Sequence, residues 1–167
     1  AGSFEDDELE HEIKSMRGWE KVKYYGQVGR EKVKEILGTA RVGIVTYHPV
    51  KNHIESMPNK MFEYMSAGIP VVASNFPLWK EIVEGNNCGI CVDPLNPEEI
   101  ANAIEYLLKH PEEAKEMGEN GRRAVEEEYN WDKESRKLVE IYRELLQEDQ
   151  TKDYRPNLRT KRILHFL

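Results

Sequence analysis

The sequence predicts an α/β fold, a parallel sheet with helices on both faces, and two observations carry that expectation. Strand and helix signals alternate from Lys21 onward, and two of the strand signals, Arg41–Tyr47 and Ile69–Ser74, are nearly continuous apolar runs. Alternation of this kind points to crossover connections, and apolar runs of this kind point to parallel strands covered on both faces.

The elements follow in order. Ala1–Phe4 reads as the end of a strand, and Asp6–Met16 as a helix with Leu9, Ile13 and Met16 on one side. Val22–Tyr25 reads as a short strand closed by Gly26, and Glu31–Ala40 as a helix with Val33, Ile36 and Leu37 as a narrow stripe. After the Arg41–Tyr47 strand, His48–Met57 has no periodicity and reads as a loop. Pro58–Ala67 is a helix, since Pro suits a first turn and Gly68 a stop. Then come the Ile69–Ser74 strand, a helix over Leu78–Glu84 ended by Gly85, and a strand over Gly89–Val92 stopped by Asp93-Pro94. Pro97 opens a long helix carrying Ile100, Ala103, Ile104, Leu107 and Leu108; Pro111 opens another to about Tyr129. A last amphipathic helix over Trp131–Gln147 carries Leu138, Ile141, Tyr142 and Leu145. Both of these stripes are read as core packing, and Trp79 and Trp131 as packing anchors.

Composition bounds the function. The 167 residues suit one domain, with 39% hydrophobic and 33% charged residues and a net charge of −7. That acidity disfavours a nucleic-acid binder, which needs a basic footprint. No apolar run approaches the ~18 residues of a membrane span, and no charged-then-apolar leader opens the chain, so a cytoplasmic protein is expected. Two cysteines make no disulfide framework. Cys88-Gly89-Ile90-Cys91 has redox spacing, but it falls in a strand, where positions three apart face opposite ways, so two packed cysteines are the expectation. His48 and His53 beside Glu55 find no further metal-ligand partner in the pattern, so no metal is assigned; exposed loop histidines are the default, with one imidazole lining a pocket as the modest alternative. Glu126-Glu127-Glu128 reads as a solvated face. The tail, residues 148–167, is basic, with Lys152, Arg155, Arg159, Lys161 and Arg162 against Asp153, and ends in the apolar run Ile163–Leu167. Such a segment could touch anionic lipid at the inner membrane face.

Sites in parallel sheets lie beyond the carboxyl ends of strands, which directs attention to the loop after Tyr47. Glu55 and Glu63 stand eight positions apart around the start of the Pro58 helix. Spacing alone means little, because Glu12/Glu20, Glu105/Glu113, Glu119/Glu127 and Glu126/Glu134 share it. Context differs: Glu55 precedes a helix N-terminus, and Glu63 lies one turn beyond Asn59 on the same face. Free N–H groups and partial positive charge there suit a phosphate, Lys60 adds a formal charge, and Glu63 could accept hydrogen bonds from sugar hydroxyls. From spacing alone the simpler account is favoured: Ser56 caps a surface helix and both carboxylates are solvated.

The run E-x7-E with PNKMFEYMSAGIPVVAS resembles the nucleotide-sugar signature of family-4 glycosyltransferases of the GT-B fold. Tyr25-Gly26-Gln27-Val28, the Arg41–Tyr47 strand, Asn87–Pro94, Asn96–Ile100 and Tyr129-Asn130-Trp131 fit the same family, so the likeness spans about residues 1–147. The resemblance implies a Rossmann-like, donor-binding C-terminal domain over 1–147. In it Glu63 holds the donor ribose, and Glu55 contacts the transferred sugar. Ser56, Met57 and Asn59 approach the sugar and diphosphate through backbone N–H groups. Gln27 and Val28 lie near the base. It further implies a retaining transferase with no cofactor and no catalytic metal, acting on a glycan or lipid-linked acceptor through a separate N-terminal domain, in polysaccharide biosynthesis.

Two departures stand out. Ser56-Met57-Pro58 replaces the family's Gly-Phe-Gly. The sequence also begins after the family's first strand–helix unit, which carries an Arg and a Lys on the diphosphate. In the family's strand order, 3-2-1-4-5-6, that strand is central, so the expectation is a gapped sheet. The gap would drive self-association or be filled by Ile163–Leu167, and the chain alone would be inactive and bind nucleotide weakly. The alternatives are a non-catalytic nucleotide-binding or scaffolding module and, with poorer motif agreement, a sugar-nucleotide epimerase.

Overall fold

Three short runs form the sheet of this computed structural model, which describes residues 1–4 and 6–151, with side chains through Leu146. They are β1 (Gly43–Val45), β2 (Val71–Ser74) and β3 (Gly89–Val92), in the order β1-β2-β3 and all parallel. Register pairs Gly43 with Val71, and Val72 with Ile90. β2 is central and every residue of it is buried, as its β-branched composition and lack of polar alternation require.

Helices cover both faces. On one, Val72 and Val92 meet Ala103 and Leu107 of α6 (Pro97–Lys109) and Ala114 of α7 (Pro111–Glu127), with Ile90, Ile100, Ile104 and Met117 around them. On the other, α4 (Asn59–Ser66) buries Met61 and Met65. It comes so close to β1 that a Cβ on Gly43 would lie 2.3 Å from the Tyr64 ring. α5 (Pro77–Val83) buries Trp79, Ile82 and Val83 and packs on β2 and β3. α7 nests against the turn after α4: a Cβ on Gly118 would sit 2.1 Å from the Gly68 carbonyl oxygen. Gly68 itself ends α4 at φ 71°.

Capping explains why α6 begins at Pro97. Asn96 Oδ1 accepts from the N–H groups of Glu98 and Glu99, both at 3.2 Å, and Pro97 holds the first position. At the other end of the chain, Asp6 accepts from Glu8 N at 2.8 Å and starts α1 (Asp7–Ser15).

Several expectations are corrected. Ala1–Phe4 and Val22–Tyr25 are not strands. Gly2 N donates to Gly26 O at 2.7 Å and the Tyr24 hydroxyl to Gly2 O at 2.9 Å, while Val22 N turns back to Trp19 O at 2.9 Å. A pair of bonds to one residue ties two segments but makes no ladder. What holds this leading region is an aromatic trio of Phe4, Trp19 and Tyr24, with centroids 5.3, 5.9 and 6.3 Å apart, and a 3-10 turn over Arg17–Lys21. α2 (Arg30–Leu37) follows it and contributes no buried residue. β1 is an edge strand and leaves Ile44 44% exposed, so the Arg41–Tyr47 run is covered on one face rather than two. One turn of helix, α3 (Lys51–Ile54), forms inside the expected loop.

The chain falls into two units, 1–125 and 126–167. In the second, Asn130 Oδ1 accepts from Lys133 N at 3.1 Å at the head of α8 (Trp131–Thr151). Leu138, Ile141, Tyr142 and Leu145 are exposed and Trp131 is 72% exposed, so neither the stripe nor the tryptophan is core. A helical stripe shows which side of a helix is apolar and not whether anything covers it. The basic run after Thr151 and Ile163–Leu167 lie outside the described residues.

Candidate functional site

At the carboxyl end of β1 the chain leaves the sheet into the segment between Thr46 and Pro58. Two side chains from further along the sequence fasten it. Ser74, the fully buried last residue of β2, donates its hydroxyl proton to the Tyr47 carbonyl at 2.8 Å. Trp79, fully buried in α5, donates its indole N–H to the Ser56 carbonyl at 2.6 Å. The Tyr47 ring lies edge-on to Trp79 at 5.7 Å and tilted to His53 at 4.9 Å, and Phe76 meets Trp79 at 4.9 Å. Edge-to-face contacts of this kind add to burial.

Within the segment, His53 Nδ1 is 2.9 Å from the His48 carbonyl, which can only accept, so the proton sits on Nδ1. Val50 starts α3, and Glu55 ends it with φ −95° and ψ −1°. Ser56 folds back over that end: its N–H and its hydroxyl both donate to His53 O, at 3.2 and 3.0 Å. Thus Ser56 does not cap α4. Pro58 occupies the cap position in extended conformation and gives α4 no side-chain cap hydrogen bond. Pro58 is placed by its fixed φ and lack of a donor, and Met61 N closes the first turn on Pro58 O at 3.0 Å.

The sequence-derived residues fall as follows. Glu55, Met57, Asn59, Lys60 and Glu63 are exposed and Ser56 is half-buried, all along one continuous junction from α3 into α4. Asn59 and Glu63, four apart in α4, share a face. No ion pair among the described residues engages Glu55, Lys60 or Glu63, so the charges of this surface are uncommitted. Gln27 and Val28 lie elsewhere, in the turn between Gly26 (φ 62°) and α2. No hydrogen bond or ring contact among the described residues ties that turn to the junction.

Burial sets the electrostatics of what lies beneath. Tyr64, whose ring covers Gly43, has its phenol pushed above its ordinary value by burial and by the nearby Glu63 charge. Burial pushes the Cys88 thiol up to about 11 and the Cys91 thiol up to about 12, the latter aided by Glu84. Both are packed neutral thiols and poor nucleophiles. Among the described residues no group of three or more His, Cys, Asp or Glu side chains is placed to hold a metal ion.

Sequence reasoning missed the fastenings. Ser74 and Trp79 act across 27 and 23 residues. The signal for the first was a hydroxyl at the end of an otherwise apolar strand, since a buried hydroxyl must find a partner. Arg122 was also missed: its Nη2 donates to Ala67 O at 3.0 Å, at the carboxyl end of α4.

A family model described as "Glycosyl transferases group 1" matches residues 1–124. The chain belongs to the group 1 glycosyl transferases. Spore coat protein SA of Bacillus subtilis (strain 168) is 32% identical over 89 residues, which is 53% of this chain and 24% of that protein. The GDP-mannose-dependent alpha-(1-6)-phosphatidylinositol monomannoside mannosyltransferase of Mycobacterium tuberculosis is 32% identical over 90 residues, 54% of this chain and 23% of that protein. Among solved structures, sucrose-phosphate synthase from Thermosynechococcus elongatus matches with a TM-score of 0.73 at 26% identity, over 89% of this chain and 38% of that one. The likeness confirms the Rossmann-like α/β class. This group 1 glycosyl transferase chain spans about a quarter of the length of the curated relatives it matches. No helix among its described residues is long and apolar enough to cross a membrane.

Proposed function

We propose that residues 1–147 are the donor-binding domain of a retaining glycosyltransferase, followed by a basic tail over 148–167. The domain would take a nucleotide-diphosphate sugar for transfer to a glycan or lipid-linked acceptor held by another domain. The observation that carries this reading is the junction itself. In a group 1 glycosyl transferase chain, an uncapped helix start at the carboxyl end of the sheet is flanked by two uncommitted carboxylates, Glu55 and Glu63.

The chemistry follows from the parts. In transfer the bond between the anomeric carbon and the diphosphate breaks and the diphosphate leaves with the electron pair. The bond to the acceptor oxygen forms on the same face, and the acceptor hydroxyl passes its proton to the departing diphosphate oxygen. Charge therefore grows on the diphosphate. The first N–H groups of α4, its dipole and Lys60 would stabilise that charge without reorganising. Glu63 would accept hydrogen bonds from the ribose hydroxyls, Glu55 from the hydroxyls of the transferred sugar, and the N–H groups of Ser56, Met57 and Asn59 would face sugar and phosphate. Gln27 and Val28 would border the base. No cofactor or metal enters the scheme. The membrane-near acceptor named for the mycobacterial relative fits a peripheral setting for the basic tail.

Titration calorimetry with UDP-, GDP- and ADP-sugars tests the reading. One nucleotide class is expected to bind, and Glu63→Ala to weaken it roughly 10–100-fold, as loss of charge-assisted hydrogen bonds does. Binding to none, or indifference to Glu63→Ala, overturns it. A second reading, a non-catalytic nucleotide-binding or scaffolding module, is favoured by the spore coat protein among the relatives. In that case Glu55→Gln leaves the protein's cellular role intact; in the transferase reading it abolishes it.

A further inference from the structure

We propose that Trp79 is a positioning residue that aims the Met57 amide at the donor, through the peptide plane shared by Ser56 and Met57. The inference rests on the donor-site reading above and assigns that site a residue outside it.

A trans peptide is planar, so the carbonyl of one residue and the N–H of the next point in opposite directions. The Ser56 carbonyl is drawn inward by the Trp79 indole N–H at 2.6 Å. The Met57 N–H on the same plane must then point outward. Met57 is 56% exposed, and its N–H donates to no acceptor among the described residues. It is a donor held ready and unused. Trp79 is well placed to impose this direction. It is fully enclosed, Phe76 and Tyr47 fix its ring, and it belongs to α5, which packs on β2 and β3. A loop amide is thereby referred to the sheet. Ser74 does the same for the preceding stretch: its hydroxyl holds the Tyr47 carbonyl, so the His48 N–H is turned the opposite way. A donor whose direction is set before binding gains affinity by avoiding the ordering cost.

The test separates direction from mere packing. Trp79→Phe keeps an aromatic ring and deletes the N–H; Ser74→Ala deletes the other fastening and serves if the first variant folds poorly. Amide ¹⁵N relaxation reports order at Met57, and donor titration well below each variant's melting midpoint reports affinity. Trp79→Phe is expected to lower the Met57 order parameter and weaken donor binding about tenfold, the size of one lost hydrogen bond. Ser74→Ala is expected to loosen Tyr47 and His48 in the same way, with a smaller loss of affinity. Unchanged order at Met57 in Trp79→Phe, or at His48 in Ser74→Ala, overturns the proposal. So does a loosened Met57 with unchanged affinity while Glu63→Ala still weakens binding, and in that outcome the donor-site reading stands. If the unaltered chain takes up no nucleotide sugar, the donor-site reading falls and this inference falls with it.

Discussion

Within the first unit, residues 1–42 and residues 43–125 were written in the same pattern and ended differently. The leading stretch has amphipathic helices of good periodicity, Leu9, Ile13 and Met16 in one and Val33, Ile36 and Leu37 in the other, yet none of its described residues is buried. The following stretch holds every enclosed side chain of the core, from Val45 to Ala124. The difference is the sheet. β1, β2 and β3 supply flat apolar surfaces that α4, α5, α6 and α7 cover, whereas α1 meets the 3-10 turn over Arg17–Lys21, beside an aromatic trio. Periodicity states a demand for cover; strands meet it in full, and in a region without a ladder the apolar stripes stay half-buried or exposed.

The sharpest way to break this comparison is to truncate one apolar side chain in each stretch. Met65→Ala removes a fully enclosed side chain that faces Gly121 of α7 and is expected to cost about 2–5 kcal/mol. Leu9→Ala, at a site 46% exposed, should stay within about 0.5 kcal/mol. Urea unfolding of both variants decides it. Equal losses would mean that α1 shares the core after all.

The cysteines sharpen the same contrast through pH. Both lie in the second stretch, and burial holds their folded pKa values at about 11 and about 12 against an ordinary 9.0. The folded state therefore keeps protons that the unfolded state releases. The stability this represents is fully present below pH 9 and is lost as pH rises through about 11 and then about 12. Urea midpoints followed upward from pH 8 should fall more steeply in the unaltered chain than in a Cys88→Ala, Cys91→Ala double variant. Parallel curves would place both thiols in solvent.

Legibility in the sequence divides along the same line. β2 and β3 were readable almost to the residue, because a buried parallel strand is written in consecutive apolar positions. α6 was readable at its start because Asn96-Pro97 is a cap and a first turn. Val22–Tyr25 misled because a short run of strand-forming residues before a glycine does not show whether a partner strand lies beside it. α8 misled for the related reason that Leu138, Ile141 and Leu145 say nothing of what covers them. Of the candidate site, the junction from Glu55 to Glu63 was visible as one continuous motif. The partners of its fastening residues were not: Ser74 to Tyr47 and Trp79 to Ser56 are contacts between distant positions, and no local pattern names the carbonyl that each donor finds.

A local effect comes from the far end of the helix that carries Glu63. α4 begins without a side-chain cap and ends with its last carbonyls near Arg122, whose guanidinium donates to Ala67 O at 3.0 Å. A cation at a helix C-terminus offsets the dipole and satisfies an orphan carbonyl. Gly68 sits immediately beyond, where a Cβ would lie 3.0 Å from the same guanidinium, so the contact is close. Arg122→Ala should cost about 1 kcal/mol, with Arg122→Lys recovering part of it by charge alone. Because α4 is pinned independently by Met61 and Met65 against the sheet, its start should not move. Donor affinity in the Arg122→Ala variant is therefore expected to match the unaltered chain. A parallel loss of affinity and stability would show that the two ends of α4 are coupled, and that the second stretch is a less rigid platform than its burial implies.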